Sequence, residues 1–318
     1  MRAAYPILAL GVGLYVLVPL LLAGNTYVMS VLVASLIIAG VALAWALLGN
    51  LGGMVSFGHA AFFGVGAYTS ALLTLRLGWP VISSMLVAGA SAALSAVAML
   101  PALRLRGPYF ALAILAYAQI FHILATELDG LTGGSAGLSS IPGLPTVLGF
   151  DLSSKLGSYL VILTIILSFA LAYHFIRRSH YGLALRAMHD SEDATRVVGV
   201  NSTLLKALML FVSAFMTGVV GGFNAHYINF LEPEYAFSGT WIVLPIIAAI
   251  FGGYRTIVGP LVGAVVVYMV DQLVFKSLMP TGHQIILGGL LVAMILTSPT
   301  GLVPLLIRRL EGLRHARA

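Results

Sequence analysis

An all-α, polytopic helical membrane protein is the fold class this sequence predicts, on three grounds: its composition, the length of its apolar runs and the placement of its basic residues. Of the 318 residues, 60% are hydrophobic and only 8% charged, and the mean hydropathy is +1.05. These values lie outside the range of water-soluble domains. The apolar runs recur near the roughly 20-residue length that crosses a hydrocarbon core, so 1–318 reads as a single transmembrane domain. The chain has no cysteine, which excludes disulfides, thiolate metal sites and a cysteine nucleophile.

The first run, Tyr5 to Ala23, follows Arg2 in the manner of a secretory signal. It is long enough to span, no small-x-small cleavage site follows it, and the next residues lead into another run, so it reads as a retained first helix. Further spans are expected at Val28 to Leu48, Met54 to Leu75, Val81 to Leu103, Pro108 to Thr126 and Ser158 to Ile176. Four more follow at Leu204 to Ile228, Thr240 to Gly253, Ile257 to Phe275 and Gln284 to Ile307, about ten in all. Broken helices are expected in the third span, which carries Gly52, Gly53, Gly58, Gly64 and Gly66, and in the tenth, interrupted by Pro299, Gly301 and Pro304.

Basic residues set the orientation. With both termini in the cytoplasm, Arg2, Arg104, Arg106, Arg177, Arg178, Arg186, Arg196, Lys206, Arg255, Arg308, Arg309, Arg314 and Arg317 lie inside, and only Arg76, Lys155 and Lys276 lie outside. Thirteen of the 16 basic residues on one side is the asymmetry of the positive-inside bias. The net charge of +6 is thereby accounted for as topology signals, without a nucleic-acid partner.

Two connections are longer than the rest. Residues 127–157 are placed outside and contain LTGGSAGLSSIPGLP, a Gly, Ser and Pro stretch suited neither to a long helix nor to a regular strand, expected to pack over the extracytoplasmic mouth. Residues 177–203, placed inside, read as two short amphipathic helices, with Asp190 or Ser191 as N-cap of the second and Gly199 as its stop. Leu183, Ala187 and Met188 are assigned to one apolar face, and Ala194, Val197 and Val198 to a second small patch. Such helices suit a lipid surface or a partner's groove.

No enzyme site assembles from the motifs. There is no GxxxxGK[ST] phosphate loop, no HExxH helix and no GxSxG turn, and the eight histidines do not cluster with carboxylates at ligand spacing. Polar residues inside the spans remain as candidates, because burying them in hydrocarbon is costly unless they meet a partner or a water-filled path. Gln119, His122 and Thr126 recur at helical spacing, with Tyr109 at the entry to the same span. Ser213, Thr217, Gly221 and Asn224 form a small, weakly polar stripe suited to close helix contact. His59 sits in GHAAFFGVGAY, where glycines can leave backbone groups free to meet a solute. His59, Tyr109, Gln119, His122 and Asn224 are therefore candidate path residues, for which helix-packing hydrogen bonds are the competing account. Asp271, near the outer boundary, suits interfacial solvation or a structural hydrogen bond. No carboxylate lies mid-span, and an ion-coupled carrier usually needs one.

Taken together, several segments resemble the permease subunits of branched-chain amino acid ABC importers, specifically the M-type (LivM-like) subunit. They are VSFGHAAFFGVGAYTSALL at Val55, RGPYFALAILAYAQI at Arg106, LTGGSAGL at Leu131, YGLALRAMHDSEDATRVVGVN at Tyr181, FVSAFMTGVVGGFNAHY at Phe211 and GGYRTIVGPLVGA at Gly252, in family order. The resemblance implies a transmembrane permease domain in a bacterial inner membrane, with no cofactor of its own. It implies partnership with a homologous H-type permease, two cytoplasmic ATPase subunits and a periplasmic substrate-binding protein. It also implies that the 177–203 loop couples to the ATPase through Ala187, Glu192, Asp193, Ala194 and Gly199. Ala136 and Pro108 depart from the family pattern and bear on the substrate. Branched-chain or other hydrophobic amino acids are favoured; related importers carry urea, amides or aromatic acids. The reading from another class is an ATP-independent secondary carrier.

Overall fold

The computed structural model of the chain describes residues 5–22, 24–105, 107–297 and 300–306. Arg2, Ala23, Arg106, Pro299, Ile307, Arg308, Arg309, Arg314 and Arg317 lie outside the described residues. The chain runs through α1 (Tyr5–Leu22), α2 (Thr26–Gly52), α3 (His59–Leu77), α4 (Val81–Ser95) continued by a 3-10 stretch Ala96–Arg104, and α5 (Pro108–Glu127). After α6 (Asp129–Thr132), a 3-10 turn Gly134–Ala136 and the hairpin β1 (Thr146–Val147) and β2 (Phe150–Asp151) come α7 (Lys155–Arg178), α8 (His180–Asp190), α9 (Glu192–Val197) and α10 (Ser202–Ile228). The last part holds α11 (Pro233–Ala236), α12 (Thr240–Gly252), α13 (Val258–Val270), a π turn Asp271–Phe275, α14 (Lys276–Leu278) and α15 (His283–Thr297).

Among the described residues, eight helical segments are long and apolar enough to cross a membrane, and shorter apolar helices, Gly13–Leu22 and Ile285–Met294, stand at the expected first and tenth spans. The molecule is a multi-pass helical membrane protein. Three of the spans begin where a side chain satisfies a free backbone N–H of the helix end. Asn25 Oδ1 accepts from Val28 N at 3.1 Å, Ser154 Oγ from Gly157 N at 3.0 Å and Asn201 Oδ1 from Leu204 N at 3.0 Å.

Helix α2 is the central post; from Ala39 to Leu48 all residues but Gly40 and Trp45 are apolar side chains shielded completely, and both exceptions are buried too. It ends at Gly52 because Gly53 adopts φ +66°, a left-handed stop that glycine makes without steric cost. The third span is interrupted, as its glycines led one to expect, and the break falls at its start. Met54 to Gly58 are not helical, and α3 begins only at His59. The segment folds back along α2, where Trp45 Nε1 donates to the Ser56 carbonyl at 2.9 Å. Non-helical backbone at membrane depth is tolerated only where protein groups meet it, and Trp45 and the Ser56 hydroxyl, which accepts from Gly58 N at 3.2 Å, do so here. The fourth span also tightens into the 3-10 stretch around Pro101, whose missing N–H and ring disfavour a continued α-helix. The ninth passes into its π turn at Asp271.

Lipid supplies no hydrophobic force between helices, so packing depends on close approach. The stripe of α10 provides it. A Cβ on Gly66 would overlap the Gly218 carbonyl, one on Gly218 the Ala92 side chain, and one on Gly221 the Phe63 carbonyl. Helices α3, α4 and α10 are thereby held backbone to backbone. A second seam joins α12 to α13, where Gly263 lies against the Ala248 carbonyl and Gly252 against Gly259.

The 127–157 connection is short elements tied to the end of α10. Leu138 and Leu231 form an antiparallel bridge, Asn229 Nδ2 donates to the Ile141 carbonyl at 2.9 Å, and His226 Nδ1 donates to the Pro142 carbonyl at 2.7 Å. That proton placement leaves His226 Nε2 to accept from Ser70 at 2.8 Å, linking the connection to α3.

Replacing Gly66 by Leu should destabilise the protein by about 3 kcal/mol through overpacking against backbone, whereas Gly289→Ala, where nothing lies within 4 Å of the added methyl, should leave the thermal midpoint in detergent unchanged or slightly raised. Equal midpoints for the two variants would refute the seam.

A candidate translocation groove

Three cavities adjoin one another, the first two along α12 and the third beyond Phe57. The first, about 460 Å³, lies between α12, α13 and α15 and is lined by Thr240, Tyr268, Asp271, Lys276 and His283. The second, about 440 Å³, shares Gly239, Val243 and Ile247 with the first and adds Phe57, Leu115, Gln119, Ile242 and Ile246. The third, about 570 Å³, shares Phe57 with the second and reaches Pro108, Phe110, Glu192 and Lys206. Shared walls order them as one groove: a polar end at Asp271 and Lys276, an aliphatic middle, and a far end at the 177–203 connection. Phe57, on the fold-back segment, stands at the junction of the second and third.

The candidate path residues divide across this geometry. Gln119 is exposed and lines the middle of the groove. Tyr109 projects from the first turn of α5, 72% exposed, beside Pro108 at the far end. His122 is half-buried, its Nε2 3.5 Å from Glu234 Oε2 and its ring 6.0 Å from that of Phe237. Asn224 is buried and exchanges hydrogen bonds with the Tyr235 hydroxyl at 3.2 and 3.3 Å, fastening α10 to α11. His59 lines none of the three cavities. Ser213 donates to the Ala44 carbonyl at 2.9 Å, so His59 Nε2, 2.9 Å from Ser213 Oγ, must be the donor in that contact. His59 thus ties the start of α3 to α10 and α2.

The groove also contains residues that the sequence did not single out as path residues. Phe57 has no polar signature. Asp271 and His283 stand on either side of the turn around Pro280, a spacing that a helical hairpin brings face to face; Asp271 Oδ1 lies 2.8 Å from His283 Nδ1.

At the far end, the 177–203 connection folds into α8 and α9 as its caps require. Ser179 Oγ accepts from Gly182 N at 3.3 Å and Ser191 Oγ from Ala194 N at 3.3 Å. Gly199 takes φ +87° just past α9. Leu183 and Ala187 face outward, but Met188 does not share their face: with Leu185 it turns inward and is buried. Val197 and Val198 are 88% and 77% exposed, next to the exposed Asp193 and Ala194. Glu192 anchors the pair of helices to α10. Its Oε2 meets Lys206 Nζ at 2.8 Å and its Oε1 meets Arg196 Nη2 at 2.8 Å, while Arg196 Nε donates to Ser202 at 2.8 Å. The Lys206 hydrogen bond, with Arg196 adding to it, holds the Glu192 carboxyl below the usual carboxylate range.

Comparison with known proteins agrees with this architecture. A model of the branched-chain amino acid transport system permease component family matches residues 27–295. The chain is 30% identical to the high-affinity branched-chain amino acid transport system permease protein LivM of Salmonella typhimurium and 28% identical to that of Escherichia coli; each alignment covers 80% of this chain. It spans 65% of the length of those two relatives. It is also 24% identical to the permease protein LivH of Escherichia coli, over 83% of this chain and 90% of LivH. No solved structure matches.

The Glu192 anchor has a pH signature. A lowered carboxyl contributes stability in full above the ordinary carboxylate range, and that contribution is lost as pH falls through the lowered value. Amide exchange protection of residues 180–200 should therefore hold from pH 7 to about 4.5 and collapse only below. In Glu192→Gln it should be about fivefold weaker at pH 7, corresponding to roughly 1 kcal/mol. Protection identical in both proteins would show the anchor to be inert.

Proposed function

This chain belongs to the branched-chain amino acid transport system permease family, and from that premise we propose that it is a membrane-spanning permease subunit of an ATP-driven ABC importer for branched-chain or other hydrophobic amino acids. The observation that carries the reading is the groove itself: a chain of cavities crossing the helical body, with Glu192 of the short-helix connection in its far wall. A device that moves α8 and α9 acts directly on that wall.

In this reading the 177–203 connection is cytoplasmic and seats in a groove on one of two ATPase subunits, presenting Ala187, Asp193, Ala194 and Gly199, with Val197 and Val198 as apolar contacts. The Glu192 to Lys206 pair transmits the displacement into α10. Because α10 is locked to α3 through Gly66 and Gly218, a pull on the loop moves a rigid group of helices rather than one side chain, which is the condition for alternating access. Gln119 and Tyr109 face the solute; His59, His122 and Asn224 hold the helices that form the path. A second permease of the H type covers the open side of the groove, and a periplasmic protein delivers substrate at the Asp271 end. In this reading the chain needs no cofactor of its own, and the ATPase subunits supply the energy.

Two experiments test the proposal. Purification of the tagged chain from its native membrane in mild detergent should recover two ATPases and a second permease; recovery of the chain alone, still transporting, would replace the importer by a carrier. Val197→Asp and Ala187→Glu, at exposed positions, should leave the chain folded but reduce ATPase recovery and ATP-driven uptake at least about tenfold, as expected for a charge buried in an apolar contact. Full uptake in both variants would remove α8 and α9 from the coupling role.

A further inference from the structure

The polar end of the groove holds the one buried carboxylate among the described residues, Asp271, 2% exposed. A carboxylate among membrane helices is expensive and needs a compensating role. It opens the π turn Asp271–Phe275, and π turns within helices recur at functional sites. Its two oxygens are treated unequally. Oδ1 is held by His283 Nδ1 at 2.8 Å, but Oδ2 receives only a long 3.4 Å contact from Gln272 Nε2. Gln272 Oε1 in turn accepts from Lys276 Nζ at 3.0 Å. A carboxylate and an ammonium are thus kept apart by one amide side chain, instead of neutralising each other. The facing wall, Val243, Leu244, Ile247 and Leu287, is aliphatic. The volume, about 460 Å³, falls within the roughly 300–1,000 Å³ of small-molecule sites.

We propose that this cavity is a binding site for a zwitterionic aliphatic α-amino acid, with its ammonium on Asp271 Oδ2, its carboxylate at Lys276 and its side chain against Val243, Leu244 and Leu287. The site rests on the permease reading and adds to it the place where the solute is first held by this chain. One acid facing one fixed base selects a net-neutral solute carrying both charges, and the aliphatic wall selects its side chain. Urea and amides bring no charge to either Asp271 Oδ2 or Lys276; aromatic acids bring no cation to Asp271 Oδ2.

The test is photocrosslinking with the diazirine analogue of leucine, on the chain with its co-purifying subunits in lipid nanodiscs, read by peptide mass spectrometry. Adducts should fall on 243–247 or on Leu287. L-leucine should compete for them, and N-acetyl-leucine and leucinamide, each lacking one charge, should not. Asp271→Asn, nearly isosteric, and Lys276→Gln, at an exposed position, should each lower labelling at least about tenfold, the loss expected for a charge-assisted hydrogen bond. Adducts elsewhere, equal competition by the two derivatives, or undiminished labelling in both variants would overturn the site. So would labelling of the same peptides by photoactivatable phosphatidylethanolamine that leucine fails to displace. ATP-driven leucine uptake by the unaltered complex is measured in parallel: its absence defeats the permease reading, whereas uptake with unaltered labelling in both variants defeats this site alone.

Discussion

The backbones of α3 and α10 approach until Gly66 meets the Gly218 carbonyl and Gly221 meets the carbonyl of Phe63, and the placement of the other elements follows from that contact. In lipid, association depends on how many atoms two helices can bring together, so a helix pair without side chains between its axes gains packing that larger residues would forfeit. With α3 fixed on α10, His59 falls within reach of Ser213, and through Ser213 the pair reaches the Ala44 carbonyl of α2. The depth at which α3 starts is therefore set by the seam, and the chain between α2 and α3 must fold back to reach it.

Polar groups follow a second economy. Away from the groove several are paired across helices: Ser70, Ser84 and His226 bond among themselves, and Asn50 joins the Tyr173 hydroxyl to the Arg255 carbonyl. Charged groups gather at the two ends of the groove, Asp271 with His283 at one and Glu192 with Lys206 and Arg196 at the other. Between them the wall is apolar apart from Gln119. A solute crossing such a path meets its electrostatic partners at entry and exit and slides past weakly interacting surface between, which keeps it from being trapped midway.

Hydropathy made the spans legible because nearly every one lies in a run of apolar residues, and local capping chemistry made α8 and α9 legible through Ser191 and Gly199. What could not be read depended on contacts distant in sequence. The glycines of 52–58 look alike whether they bend a continuous span or interrupt it; only the Trp45 contact with Ser56 decides. The sequence puts Met188 on one face with Ala187 because an eleven-residue helix of mixed polarity leaves its inward face undetermined, and burial beside Leu185 resolves it. His59 and Asn224 are polar for reasons of helix fastening, whereas the groove owes its shape to Phe57, Ile242 and Ile246, which differ in no way from lipid-facing neighbours at the level of sequence.

Phe57 is the wall common to the middle and far cavities, and it rides on backbone with no helical hydrogen bonds of its own. The two cavities meet, along this line, across about one aromatic ring. In the importer reading that ring is the seal, and a membrane that stores its energy as ion gradients tolerates so thin a seal only if the ring is displaced briefly, when solute fills the space it leaves. On that reading the strap of residues 53–58 would govern the leak of ions through the idle protein.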